Sequence, residues 1–184
     1  MKSKLLAAAL AATLVVGVAQ AGNYGKNPMV GGAAMLPTKD IVDNAVNSKD
    51  HTTLVAAVKA AGLVDTLKSA GPFTVFAPTN AAFAALPAGT VDTLLKPENK
   101  GTLSGILTYH VVAGQLDAKA LGAKIKAGKG KAMLTTVQGA TLTVKSVGNA
   151  VTVTDTKGNV AKVTIANVYQ KNGVIHVVDK VLLP

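Results

Sequence analysis

The histidines, hydroxyls and carboxylates that could carry chemistry in this chain are few, and their spacing limits what they can do. His51, His110 and His176 are accompanied by a single Glu and no Cys. None of the three stands at a ligand spacing such as His-x-x-x-His, so the sequence assigns no metal and no cofactor. Ser104 lies in Gly101-Thr-Leu-Ser-Gly105, which lacks the Gly-x-Ser-x-Gly elbow of hydrolases and reads as a helix face. Asp179 follows His176 by three residues in an expected strand, which sends the two side chains to opposite faces and disfavours a His–Asp pair. No catalytic residue is named on these patterns, and the protein is expected not to be an enzyme.

Charge is the stronger signal. Lys supplies all 19 basic residues against 9 acids, giving a net charge of +10. Such a chain favours anionic partners. The absence of Arg and the presence of only three Phe and three Tyr argue against nucleic acid, which is read by bidentate Arg contacts and aromatic stacking. Residues 118–154 hold six lysines, Lys119, Lys124, Lys126, Lys129, Lys131 and Lys145, and no acid. With Gly122, Gly128 and Gly130 among them, Lys119 to Lys131 is expected to form an exposed loop and strand edge. Its lysines either solvate that edge or form a weak electrostatic site for an anionic polysaccharide or phosphate. Zero Cys excludes disulfides, thiolate zinc, iron–sulfur clusters and a Cys-borne lipid anchor. A composition 49% hydrophobic and 15% charged belongs to a chain that folds.

These side chains need elements to hold them. Residues 1–21 read as a signal peptide: a Lys-containing start, an apolar run from Leu5 to Val18, and Ala19-Gln20-Ala21 for cleavage after Ala21. Cleavage lowers the net charge to about +8 by removing Lys2 and Lys4, and places the protein in the periplasm or outside the cell, with no later membrane-length stretch. Residues 22–37, rich in Gly and Pro, are expected to be a flexible lead, with the domain spanning 38–184. Thr38 is the expected cap of a helix carrying Ile41, Val42, Ala45 and Val46; a second carries Leu54 to Ala61 and closes at Gly62. A short turn through Leu67 precedes a strand at Phe73–Phe76, then come further helical pieces begun by Thr79 and Asn80, Thr90 and Pro97. From Thr108 the pattern turns to strands: 108–112, 133–137, 141–147, 151–154, 162–168 and 174–183. Gln138-Gly139, Gly148-Asn149 and Asn172-Gly173 mark the turns between them, on the expectation of positive φ. Helices gathered ahead of hairpin-linked strands imply an α+β fold with antiparallel sheets packed face to face or partly closed, and helices on one side.

Three segments say more: Gly71-Pro-Phe-Thr-Val-Phe-Ala-Pro-Thr-Asn-Ala-Ala-Phe83, Leu107-Thr-Tyr-His-Val-Val112, and Asn172-Gly-Val-Ile-His-Val-Val-Asp-Lys-Val-Leu-Leu-Pro184. In order and spacing they resemble the signatures of the fasciclin (FAS1) domain family. The resemblance implies a wedge-shaped β-sandwich with helices packed on one side, outside the cell, in non-enzymatic adhesion to cell-surface or matrix protein or polysaccharide. It places Tyr109 and His110 at the position linked to partners in animal members, and Thr79, Asn80, Asn172, Gly173, His176 and Asp179 within structural motifs. For Thr79 and Asn80 helix capping is the favoured role, and both strand-borne histidines, His110 and His176, are expected to be at least half buried. The alternative function is a periplasmic small-ligand carrier, which would need an apolar cavity with convergent polar groups.

Overall fold

The structure, a computed structural model, describes residues 27–184; the expected leader lies outside them. The described chain opens with a two-stranded hairpin, β1 (Met29–Val30) and β2 (Ala33–Ala34), whose Val30 and Met35 are buried. The lead expected over 22–37 is thus part of the packed domain from this hairpin onward. Two apolar side chains suffice to anchor it despite the Gly and Pro around them.

Helices follow. In α1 (Ile41–Ala45) the cap is Asp40, whose Oδ1 accepts from the Asp43 N–H at 2.8 Å, rather than Thr38. A carboxylate two residues further on is the better acceptor at a helix start, where the dipole is positive. α2 (Thr52–Ala61) ends at Gly62 with φ 70°, and α3 (Val64–Lys68) follows directly. After β3 (Phe73–Pro78) come α4 (Asn80–Ala84), α5 (Thr90–Leu94) and α6 (Lys100–Tyr109). The helix α6 takes in the residues expected to open a strand, so Tyr109 closes the helix, His110 is its C-cap, and only β4 (Val111–Ala113) is extended.

Next comes α7 (Ala118–Ala127), where the sequence led us to expect an exposed loop. Asp117 caps it through Oδ1 and the Ala120 N–H at 2.7 Å, and Leu121 and Ile125, one turn apart, are its buried face. The remaining strands are β5 (Lys131–Thr135), β6 (Thr141–Val147), β7 (Ala150–Thr154), β8 (Val160–Gln170) and β9 (Gly173–Val178).

One seven-stranded sheet runs β4-β3-β9-β8-β7-β6-β5. Its ends nearly meet: Val112 bridges Thr136, and the Val137 N–H donates to the Val111 carbonyl at 2.8 Å. The sheet is therefore an almost closed barrel rather than two stacked sheets. It is mixed rather than wholly antiparallel, because β3 and β9 pair in parallel from Phe73↔Gly173 to Pro78↔Val178. Both are almost entirely buried along their length, as a strand covered on two faces must be. Alternate residues feed two cores. Val75, Ala77, Ile175 and Val177 pack with α1, α2, α4 and α6, while Phe76 and Val178 face a second core of Leu121, Ile125, Leu134, Leu142, Val144 and Val153. Helices accordingly cover more than one side, with α7 lying on the second core.

Candidate functional site

Tyr109 and His110 are internal. Tyr109 is fully buried, its hydroxyl donating to the Thr141 carbonyl at 3.2 Å and accepting from the Thr156 N–H at 3.1 Å. In His110 one ring nitrogen, Nδ1, lies 2.8 Å from the Ile106 carbonyl, and the other, Nε2, accepts from the Leu182 N–H at 3.0 Å. Nε2 must be bare to accept, so the proton sits on Nδ1. Burial holds the His110 pKa at about 4, against an ordinary 6.5. The pair clasps the end of α6 to β6, to the β7–β8 turn and to the C-terminal tail. A partner has no access to either ring.

His176 is equally enclosed. Its Nε2 meets the Leu116 carbonyl at 2.7 Å, its Nδ1 accepts from the Asn167 N–H, and its ring stacks on Phe76 at 5.7 Å. Burial lowers its pKa as well. Thr79 caps α4 by accepting from the Ala82 N–H at 3.2 Å. Asn80 reaches back to the start of α2, where its Oδ1 accepts from the Thr53 N–H at 3.0 Å and its Nδ2 donates to the Lys49 carbonyl at 2.7 Å. Asn172 ties the β8–β9 hairpin to the helices, accepting from the Ile41 N–H and donating to the carbonyls of Leu67 and Ser69. Gly173 is not at positive φ, contrary to the turn chemistry expected of it. A Cβ there would run into the Phe73 carbonyl oxygen, so the parallel approach of β3 is what requires glycine. Asp179 prolongs the β8–β9 ladder by accepting from the Lys162 N–H at 2.7 Å. One tie escaped the sequence reading. Burial pushes the Asp155 carboxyl up, but N–H groups of Leu183, Asn159 and Lys157 outweigh it and leave the pKa below the usual value. Its only sequence signal was an Asp opening the Thr156-Lys157-Gly158 turn.

An apolar cavity of about 70 Å³ lies in the first core, lined among others by Val42, Leu54, Val58, Val75, Ile175 and His51. Among the polar side chains at its wall is His51, whose Nδ1 bonds Ser48 Oγ at 2.9 Å and whose Nε2 is buried. Polar groups do not converge on the cavity in the way a ligand-orienting site requires.

The lysines are the reactive surface that remains. Lys119, Lys124 and Lys126 stand on the exposed face of α7, Lys129 in the turn beyond it at φ 55°, and Lys131 at the start of β5. All five are exposed. The ion pairs among the described residues are those of Lys68 with Asp43 at 2.6 Å and Asp40 at 3.8 Å, so no acid neutralises this group within them. No helix of the described residues is long and apolar enough to cross a membrane.

With the fold in view, the chain can be set beside known proteins. It is 47% identical over 169 residues to Protein sll1483 of Synechocystis sp., covering 92% of this chain and 87% of that one. To the immunogenic protein MPB70 of Mycobacterium bovis it is 43% identical over 146 residues, 76% of this chain and 66% of that protein. The structure of a FAS1 domain pair from the insect cell adhesion molecule fasciclin I superposes with a TM-score of 0.70 at 19% identity, over 80% of this chain and 52% of that one. The curled mixed sheet, the buried Tyr-His clasp and the Asn172-Gly173 corner fall within residues 49–184, which match the family model of the Fasciclin domain, and the chain belongs to that family.

Proposed function

We propose that this protein is an exported, non-enzymatic interaction module that contacts an anionic polysaccharide of the cell surface or matrix. The observation that carries the reading is the run of exposed lysines with no acid among them over residues 118–154, from α7 through β5 to Lys145 on β6, while Tyr109 and His110 are enclosed. A related fold in a molecule described as an insect cell adhesion molecule supports the adhesive sense of the reading. The leader-like residues 1–21 support export. A small-ligand carrier is less well supported, because the wall of the cavity is almost wholly apolar.

The test is retention of the mature chain on immobilised polygalacturonate, with neutral dextran as control and a rising salt gradient. The expected result is retention on the acidic glycan alone, lost progressively as salt screens the lysines. Elution with the dextran control at low salt would sink the reading.

A further inference from the structure

Not every lysine on this surface needs a ligand to explain it. Lys124 and Lys126 occupy the last turn of α7, where the helix dipole favours cations, and Lys119 lies on the solvated face of the same helix. Lys131 lies on β5, a terminal strand of the sheet, where a charge discourages edge pairing. Lys145 and Lys162 lie at neither a helix end nor a sheet edge. They sit on β6 and β8, each of which is hydrogen-bonded to a neighbour on both sides.

The register puts these residues in one line. Lys131 stands opposite Lys145, Lys145 opposite Thr152, and Thr152 opposite Lys162, across four adjacent strands. Directly opposed residues share a face of the sheet. The residues beside them in sequence, Ala132, Val144, Val153 and Ala161, are buried, so the line points outward. At a strand spacing of about 4.8 Å its ends lie roughly 14 Å apart. The neighbouring line is Met133, Thr143, Thr154 and Val160, and Thr135 opposite Thr141 makes a third. The face is thus a shallow field of hydroxyls crossed by lysines and flanked by the exposed Met133 and Val160; among the described residues its one neighbouring acid is Asp179, beyond Lys162 at the β9 end, whose carboxylate is engaged by the Lys162 N–H. Lys131 and Lys145 oppose like charges at close range, which costs stability until an anion lies between them.

We infer that the outer face of β5 to β8 is a track for a linear anionic polysaccharide lying across the strands. One carboxylate bridges Lys131 and Lys145, a second meets Lys162, and the threonine hydroxyls bond sugar hydroxyls between them. A folded protein partner fits less well, since its anchor would look for aromatic or large apolar residues at the centre of the patch. This inference rests on the proposed function and narrows it, assigning the contact to the sheet face rather than to α7.

Two triple variants with the same change in net charge separate the possibilities: Lys131→Gln/Lys145→Gln/Lys162→Gln on the sheet, and Lys119→Gln/Lys124→Gln/Lys126→Gln on the helix. Binding of a defined oligogalacturonate is measured by calorimetry at several salt concentrations, with melting curves to confirm folding. The sheet variant is expected to bind about tenfold or more weakly, and its salt dependence to fall by about three released counterions, while the helix variant stays within about threefold of the parent. A third variant, Lys131→Arg/Lys145→Arg/Lys162→Arg, should retain binding, which a loss caused by misfolding would not predict. Equal weakening of both Gln variants would mean that net charge alone acts, and stronger weakening of the helix variant would place the contact on α7. Either result overturns the track and leaves the proposed function standing. Failure of the parent chain to bind any acidic glycan removes the proposed function itself, and the track with it.

Discussion

His110 joins a helix end to the C-terminal tail through a neutral ring, and that neutrality makes the fold sensitive to acid. The unfolded ring titrates near 6.5 and the folded ring near 4, so the native state binds fewer protons between those values. Its contribution is whole above pH 6.5 and is lost as pH falls toward 4. The interval corresponds to about 3 kcal/mol at 1.36 kcal/mol per unit. His51 and His176, also lowered by burial, act in the same direction. Urea unfolding of the parent chain and of His110→Gln at pH 7 and pH 4.5 reads this out: the parent should lose more stability over the interval than the variant. Parallel pH profiles would show that His110 is not the titrating clasp. His110 and His176 were legible as buried because each interrupts an apolar run; His51, in Ser48-Lys-Asp-His-Thr-Thr53, carries no such signal. That His110 caps a helix was not, since Thr108-Tyr-His-Val-Val112 contains β-branched and aromatic residues that suit a strand equally well.

The element least visible in the sequence was α7. Only Leu121 and Ile125 mark its inner face, and three lysines and a glycine within it, with two more of each directly after, give the stretch the composition of a loop. The decisive clue was Asp117, one residue before the helix and able to cap it. The parallel pairing of β3 with β9 was hidden for another reason. Hairpin turns announce antiparallel neighbours, whereas two strands nearly a hundred residues apart are joined by no local signal. Glycines distinguish the two cases experimentally. Gly122 lies inside α7, exposed and with open space where a Cβ would go, so Gly122→Ala should raise stability by about 0.5–1 kcal/mol. Gly173→Ala drives a methyl into the Phe73 backbone and should lower stability markedly or prevent folding. Denaturant midpoints of the two variants should therefore move in opposite directions, and a shared direction would contradict either the α7 helix or the close approach of β3.

At the scale of the whole molecule, the boundary of the folded unit depends on a few apolar side chains before the first helix. Most of the strands and helices other than α7 were legible because they carry a periodic pattern long enough to recognise; β1 and β2 are two residues each and carry none. Yet Val30 and Met35 are buried in the first core, Gly31 accepts from the Lys49 N–H at 3.1 Å, and a Cβ at Gly31 would strike Ser48 and the backbone of Lys49 and Asp50. The hairpin is seated against the turn that leads into α2. A chain beginning at Thr38 removes both apolar side chains and exposes the surface they cover, a loss of roughly 3–6 kcal/mol at about 1.5–3 kcal/mol for each buried side chain. Urea unfolding should show a clearly lower midpoint for that chain than for one beginning at Gly22. An unchanged midpoint would mean that the hairpin rests on the domain without stabilising it, and that residues 22–37 serve as a tether after all.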